Sequence, residues 1–238
     1  YSYDNSFDDE TGHGTGVASL IIGKTLGVSP DATLKSVKIQ MSTEIPISNL
    51  LTAFDTVLAD HQLTSVPKVI NCSWTTPKSK ILDMKITELE SAGLVVVAAA
   101  GNTGEAADNF SPVGLNSVLG VGASDAYDRV ISWAPGASSN WGPEVDITAP
   151  GINIDVANID GTYGKASGTS LAAGIVSAVV AQYIVEFPEM NAAQIQAKII
   201  DRGRPDLLFR NESVYGTTPN LFIAAAGISD VFDNHQNS

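Results

Sequence analysis

Residues 94–100 read LVVVAAA, apolar at every position, with Gly93 before the run and Gly101 after it. A strand with one wet face alternates apolar and polar residues, whereas an unbroken apolar run is what a strand covered on both faces requires. The run therefore demands a central, mainly parallel sheet with helices on both sides, reached through right-handed crossovers. The rest of the chain supplies that rhythm. Short β-rich runs ATLKSVKI (32–39), PKVINCSW (67–74) and GLVVVAAAGN (93–102) alternate with segments of helical period at 48–61 and 79–92. Further strands are expected at SVLGVGA (117–123) and EVDITAPG (144–151), with Gly and Pro punctuation between them.

The longest helix candidate follows. From Leu171 to Val185 almost every residue is small or apolar, so this helix is expected to be buried on nearly all sides. A second helix is expected over 191–202, after Pro188, with Asn191 as its N-cap. With 238 residues, 44% of them apolar, the sequence predicts a single three-layer α/β domain over 1–238.

Charge and cysteine content exclude several classes of function. Thirteen basic against 26 acidic residues give a net charge of −13, which repels phosphate backbones and argues against a nucleic-acid partner. No run of 18 uninterrupted apolar residues occurs and the N-terminus lacks a charged-then-apolar pattern, so a soluble chain with no membrane partner is expected, any targeting segment having been removed. Cys72 is the only cysteine, which precludes an internal disulfide and a cysteine-rich zinc site. Its place in an apolar run predicts a buried, inert thiol. Sequons at Asn71, Asn109 and Asn211 hint at a secretory history, although Asn71 is expected to be buried.

Three residues sit where chemistry could occur. Ser170 precedes the buried helix, where unpaired N–H groups and the positive dipole end favour a developing oxyanion; as a lone signal, the serine reads first as a helix cap. Asn102 ends the central strand, where α/β sheets place their ligands, or simply forms a turn. His13, between Gly12 and Gly14, opens an apolar helical run and could serve as a general base. His61, near the end of a surface helix, and His235, in a polar tail, read as solvated residues.

Taken in order, Gly-His-Gly-Thr-x-Val-Ala (12–18), Ala-Ala-Gly-Asn (99–102) and Gly-Thr-Ser-x-Ala-Ala (168–173) resemble the subtilisin-like serine proteases. Residues 109–151 are similar to the proteinase-K-like branch in particular. The resemblance implies a serine endopeptidase with Ser170 as nucleophile, His13 as general base and acid, and Asn102 as oxyanion donor. It also implies substrate-binding walls at Ser73, Trp74 and Thr75 and at Ala100 and Gly101. No organic cofactor is implied, but a structural calcium ion is, held by the carbonyls of Asn116 and Val118 and the carboxylate of Asp146. A secreted or vacuolar (lumenal) location would follow.

The family's catalytic aspartate, in an Asp-[Ser/Thr]-Gly turn a few dozen residues before the histidine, has no counterpart here. Asp4, Asp8 and Asp9 precede His13 but none is followed by such a pair, and they read as solvated loop acids. The expected partners are thus a peptide or protein substrate and a separate, noncovalently held N-terminal fragment of the same precursor, which carries the aspartate and completes the sheet. The chain also departs from the family. Ser73–Thr76 replace the usual Ser-Leu-Gly-Gly, Leu171–Ile175 replace Met-Ala-[Ser/Thr]-Pro-His, and Gly16 and Ser19 stand where relatives often carry histidine and glycine. These changes leave open a catalytically impaired, peptide-binding relative and an acyl-transferring transpeptidase or esterase.

Overall fold

The computed structural model describes residues 2, 6, 8–39, 46–64, 66–205 and 221–222. Among the described residues five α-helices, α1 (His13–Ile22), α2 (Ile47–Thr64), α3 (Lys80–Ser91), α4 (Thr169–Glu186) and α5 (Ala192–Asp201), surround a six-stranded sheet. That sheet has the order β1 (Val69–Cys72), β3 (Val95–Ala99), β5 (Leu119–Ser124), β6 (Ile147–Pro150), β10 (Leu221–Phe222), β9 (Arg204–Pro205). Every pairing is parallel except β10 with β9. Two small antiparallel pairs complete the strands among the described residues: β2 (Thr76–Pro77) with β4 (Phe110–Ser111), and β7 (Ile154–Ala157) with β8 (Tyr163–Ala166).

The period-2 geometry of β3 explains its uniform apolarity. Val95, Val97 and Ala99 face one layer and pack with Ala172, Ala173, Val176 and Val180 of α4. Val96, Ala98 and Ala100 face the other, with Leu82, Ile86 and Leu89 of α3 and Phe54 of α2. By length and hydropathy alone α4 could span a bilayer, but 61% of that window lies inside the fold, against the sheet and α1. Asn191 caps α5 as expected, in a reciprocal capping box with Gln194.

Two expectations fail. Residues 32–39 form no strand; Lys38 alone makes a parallel bridge, to Ser2. A β-rich run becomes a strand only where a neighbour supplies a ladder, and among the described residues this one has a single bridge. His61 is not merely solvated either. Its Nδ1 lies 3.2 Å from the Val66 carbonyl and its Nε2 lies 3.1 Å from the Ala92 carbonyl, so it ties the end of α2 to the turn after α3. His235 lies outside the described residues.

Candidate active site

Gly168, not Ser170, occupies the N-cap of α4, and the cap residue makes no side-chain bond to the helix. The cap reading of Ser170 therefore falls. Thr169 does the anchoring instead. Its N–H and Oγ1 both donate to Asn102 Oδ1 at 2.9 Å, and its Oγ1 accepts from the Gly101 N–H at 3.0 Å. With Oδ1 engaged, the Asn102 amide is left to donate through Nδ2. That nitrogen lies 3.4 Å from where a Cβ on Gly168 would stand, so the glycine leaves it room beside the Ser170 turn.

A second set of bonds fixes Ser170 from the side of β1. Ser73 Oγ donates to the Ser170 carbonyl at 2.7 Å, and Ser170 Oγ donates to the Ser73 carbonyl at 2.9 Å. Asn71 Nδ2 donates to Ser73 Oγ at 2.9 Å, while Ser177 Oγ, two turns along α4, donates to Asn71 Oδ1 at 3.0 Å. Strand, strand extension and helix are thus cross-linked around Ser170. In this state the Ser170 hydroxyl is parked on a carbonyl and not on a base.

His13 begins α1, and two contacts place it relative to Ser170. Val17 packs on Gly174, with its Cγ1 3.1 Å from the position a Cβ there would take. Nearer the other end of both helices, Gln182 Nε2 donates to the Val28 carbonyl at 2.6 Å, and the Val28 N–H donates to the Leu20 carbonyl at 2.9 Å. The helices therefore run the same way. His13 is one turn before Val17 and Ser170 one turn before Gly174, so both lie at the same end of the packed pair. The imidazole makes no hydrogen bond among the described residues. Burial pushes its pKa below 6.5, against the opposing charge of Asp9, so near neutral pH it carries a free lone pair.

Asp9 is not a solvated loop acid. Its Oδ1 accepts from the N–H groups of Thr11 and Gly12, at 3.1 and 2.9 Å, and from Thr11 Oγ1 at 3.2 Å. Its Oδ2 accepts from the N–H and Oγ1 of Thr15, both at 2.7 Å. Partial burial pushes its pKa up, but the bonds from Thr15, Gly12 and Thr11 win and hold it at about 2. The carboxylate thereby satisfies the exposed start of the histidine helix.

The two expected walls flank this centre. Ser73, Trp74 and Thr75 continue past β1, and the Trp74 ring packs 6.1 Å from Phe54 of α2. Ala100 and Gly101 continue past β3; Ala100 is fully buried and Gly101 has φ 103°. A side chain at 101 would overlap the amide of Asn140, whose Oδ1 accepts from the N–H groups of Thr103 and Glu105 at 3.0 Å each. Farther away, Asp146 accepts from the Gly120 N–H at 2.7 Å, and Asn116 and Val118 lie just before β5, the strand that contains Gly120. Burial pushes the Asp146 pKa to about 6; the Gly120 bond opposes this and the Glu144 charge adds to it. Burial likewise pushes the Cys72 thiol to about 12, with Glu90 adding to the shift, which makes it inert as expected.

The family model described as the Subtilase family matches residues 1–217. The chain belongs to the subtilase family. Proteinase T of Parengyodontium album is 30% identical over 226 residues, covering 94% of this chain and 74% of that protein. Alkaline serine exoprotease A of Vibrio alginolyticus is 35% identical over 202 residues, 84% of this chain but only 36% of its own length. The alkaline extracellular protease of Yarrowia lipolytica is 32% identical over 203 residues, 81% of this chain and 45% of its own length. The chain thus spans less than half of these last two relatives. The crystal structure of a cold-adapted subtilisin-like serine proteinase superposes with a TM-score of 0.84 at 30% identity, covering 95% of this chain and 80% of that one.

Two departures of this subtilase from its family lie beside β7. A Cβ on Gly16 would meet Val156 at 3.6 Å, an ordinary contact, so that distance by itself does not require glycine. Ser19 Oγ donates to the Gly16 carbonyl at 2.7 Å and accepts from the Ala157 N–H at 3.1 Å, which pins the β7–β8 hairpin to the histidine helix. Sequence reasoning missed Asp9, Asn71, Asn140, Thr169 and Ser177. Only Thr169 had a local signal, since it adjoins the serine in Gly-Thr-Ser.

Asp9 supplies a test of the helix anchor. Its pKa is lowered on folding from 3.8 to about 2, so its stabilisation is complete above about pH 4 and is lost as pH falls toward 2. Asp9→Asn is expected to lower the unfolding free energy at pH 7 by about 1 kcal/mol, with the gap to the unmodified protein closing by pH 2. Urea titrations at a series of pH values read this directly. A gap independent of pH would show that the charge on Asp9 does not anchor the helix.

Proposed function

We propose that this subtilase is the larger piece of a serine endopeptidase in which Ser170, His13 and Asn102 perform acyl transfer to water. The carrying observation is the clasp that ties Asn102 Oδ1 to Thr169 and leaves Nδ2 to donate beside Ser170. When substrate binds, Ser170 Oγ turns from the Ser73 carbonyl toward His13, which takes its proton as the oxygen attacks the scissile carbonyl. The oxyanion is met by Asn102 Nδ2 and by the Ser170 N–H, one of the donors unused at a helix start. His13 then protonates the leaving amine, and water, deprotonated by the same imidazole, releases the acid product. Reaction with a phosphonylating serine reagent, followed by peptide mapping, is expected to label Ser170 alone. Asn102→Ala should keep the label but lower kcat by about 10²- to 10³-fold, a range known for subtilisin itself. An unlabelled Ser170 favours instead the impaired, peptide-binding reading that Ser73–Thr76 motivates, and an acylated but amine-trapped product favours the transferase.

The proposal includes an aspartate brought by a noncovalently held N-terminal fragment of the same precursor. In its support, β1 pairs with β3 alone among the described residues, which leaves its other edge available to a further strand. The one cysteine is buried, so no disulfide would tether the fragment. Denaturing mass spectrometry of the naturally produced protein is expected to show a second peptide containing Asp-Ser-Gly or Asp-Thr-Gly; a single 24.8 kDa species would sink the two-piece reading. A secreted or lumenal setting accords with the name of the Yarrowia relative, an extracellular protease.

A structural calcium ion is the third part of the proposal. The fit rests on Asp146, a largely buried carboxylate near Glu144 that no lysine or arginine pairs with among the described residues. The remaining protein ligands would be the carbonyls of Asn116 and Val118, just before β5, hard oxygen donors suited to calcium when waters fill the shell. A bound ion would tie the turn before β5 to the approach of β6. Calcium at about 100 times its Kd is expected to raise Tm by about 5–10 °C, and Asp146→Asn should abolish the response. An identical response in that variant would remove Asp146 from any ion site.

A further inference from the structure

We infer that the Thr75 side chain closes the slot beside Ser170 and restricts the residue before the scissile bond to glycine, alanine or serine; this rests on the hydrolytic reading above. β1 and β3 are parallel neighbours, with Cys72 opposite Ala98. Carrying the same offset of 26 residues three positions onward sets Thr75 opposite Gly101. Past the last pair the two chains lead to Ser170, one through the Ser73 carbonyl and the other through the Gly101–Thr169 bond. On the hydrolytic reading, an acyl group on Ser170 with its oxygen toward Asn102 directs its side chain between these chain extensions. Thr75 Cγ2 lies 3.6 Å from where a Cβ on Gly101 would stand, so the gap between the methyl and the facing backbone is about one side-chain atom wide. Trp74 gives no relief, being packed on Phe54. Asn140 Nδ2 borders the same point and is buried without a hydrogen-bond partner. A large apolar group would seal that donor from water, whereas a small side chain leaves space for water or brings a hydroxyl.

The test uses the naturally produced protein and matched tetrapeptide anilides that differ only in the residue before the anilide: Gly, Ala, Ser, Leu or Phe. The unmodified protein is expected to favour Ala over Phe by at least about 10-fold in kcat/KM, and Thr75→Gly to raise the Phe-to-Ala ratio by about 10- to 100-fold. Thr75→Val, which retains the methyl groups, should leave the ratio low. Equal rates on Ala and Phe in the unmodified protein, or no rise of the ratio in Thr75→Gly, overturn the inference. If Ser170 still reacts with the phosphonylating reagent in that case, the hydrolytic reading stands and only the slot assignment falls.

Discussion

The packing of α4 against the sheet is the constraint on which the site depends. A helix can bury its N-terminus at the strand ends only if its sides are small enough to lie flat on a sheet and against a second helix. Ala172 and Ala173 serve the first need, and Gly174 serves the second by admitting Val17 of α1. Larger residues would lift α4 and separate His13 from Ser170, since each is one turn from that contact. The same placement sets the start of α4, and with it the Ser170 N–H, at the C-terminal side of the parallel strands, where charge can be stabilised.

Around this apolar hub the site is held by polar clasps. Asn102 with Thr169, Ser73 with Ser170, Asn71 with Ser177 and Asn140 with Thr103 each join segments distant along the chain. A loop held by side-chain-to-backbone bonds sits at a defined position without a core of its own, and this suits groups that must meet a reacting atom. The division is physically sensible: dispersion and burial set where the helices lie, and directional bonds set where donors point.

Legibility in the sequence follows the same division. The buried strands and α4 were readable because burial on both faces needs local apolarity, and every residue of β3 shows it. Ser170, Asn102 and His13 were readable because their motifs are contiguous. The clasp partners were not. Asn71 and Ser177 are 106 residues apart, and nothing in either neighbourhood announces the other. Asp9 looked like one acid among several in a polar loop until five donors were found around it. Residues 32–39 misled for the converse reason: their composition suits a strand, but pairing is a property of the neighbour.

The edge of β1 that no other strand among the described residues pairs with connects these points. Val69–Asn71 are half-buried and carry neither charge nor proline, so they lack the usual devices that discourage strand addition. The neighbouring strand β3 is parallel to β1, as are β5 and β6 in turn, so all of them end on the side where Ser73, Asn102 and the start of α4 converge. A further parallel strand on the β1 edge would end on that side as well, adjoining the chain that leads through Ser73. A carboxylate at its C-terminal end would then arrive at the level of His13 and not at the opposite face of the sheet. Sheet polarity by itself thus selects which end of an added segment can serve the imidazole.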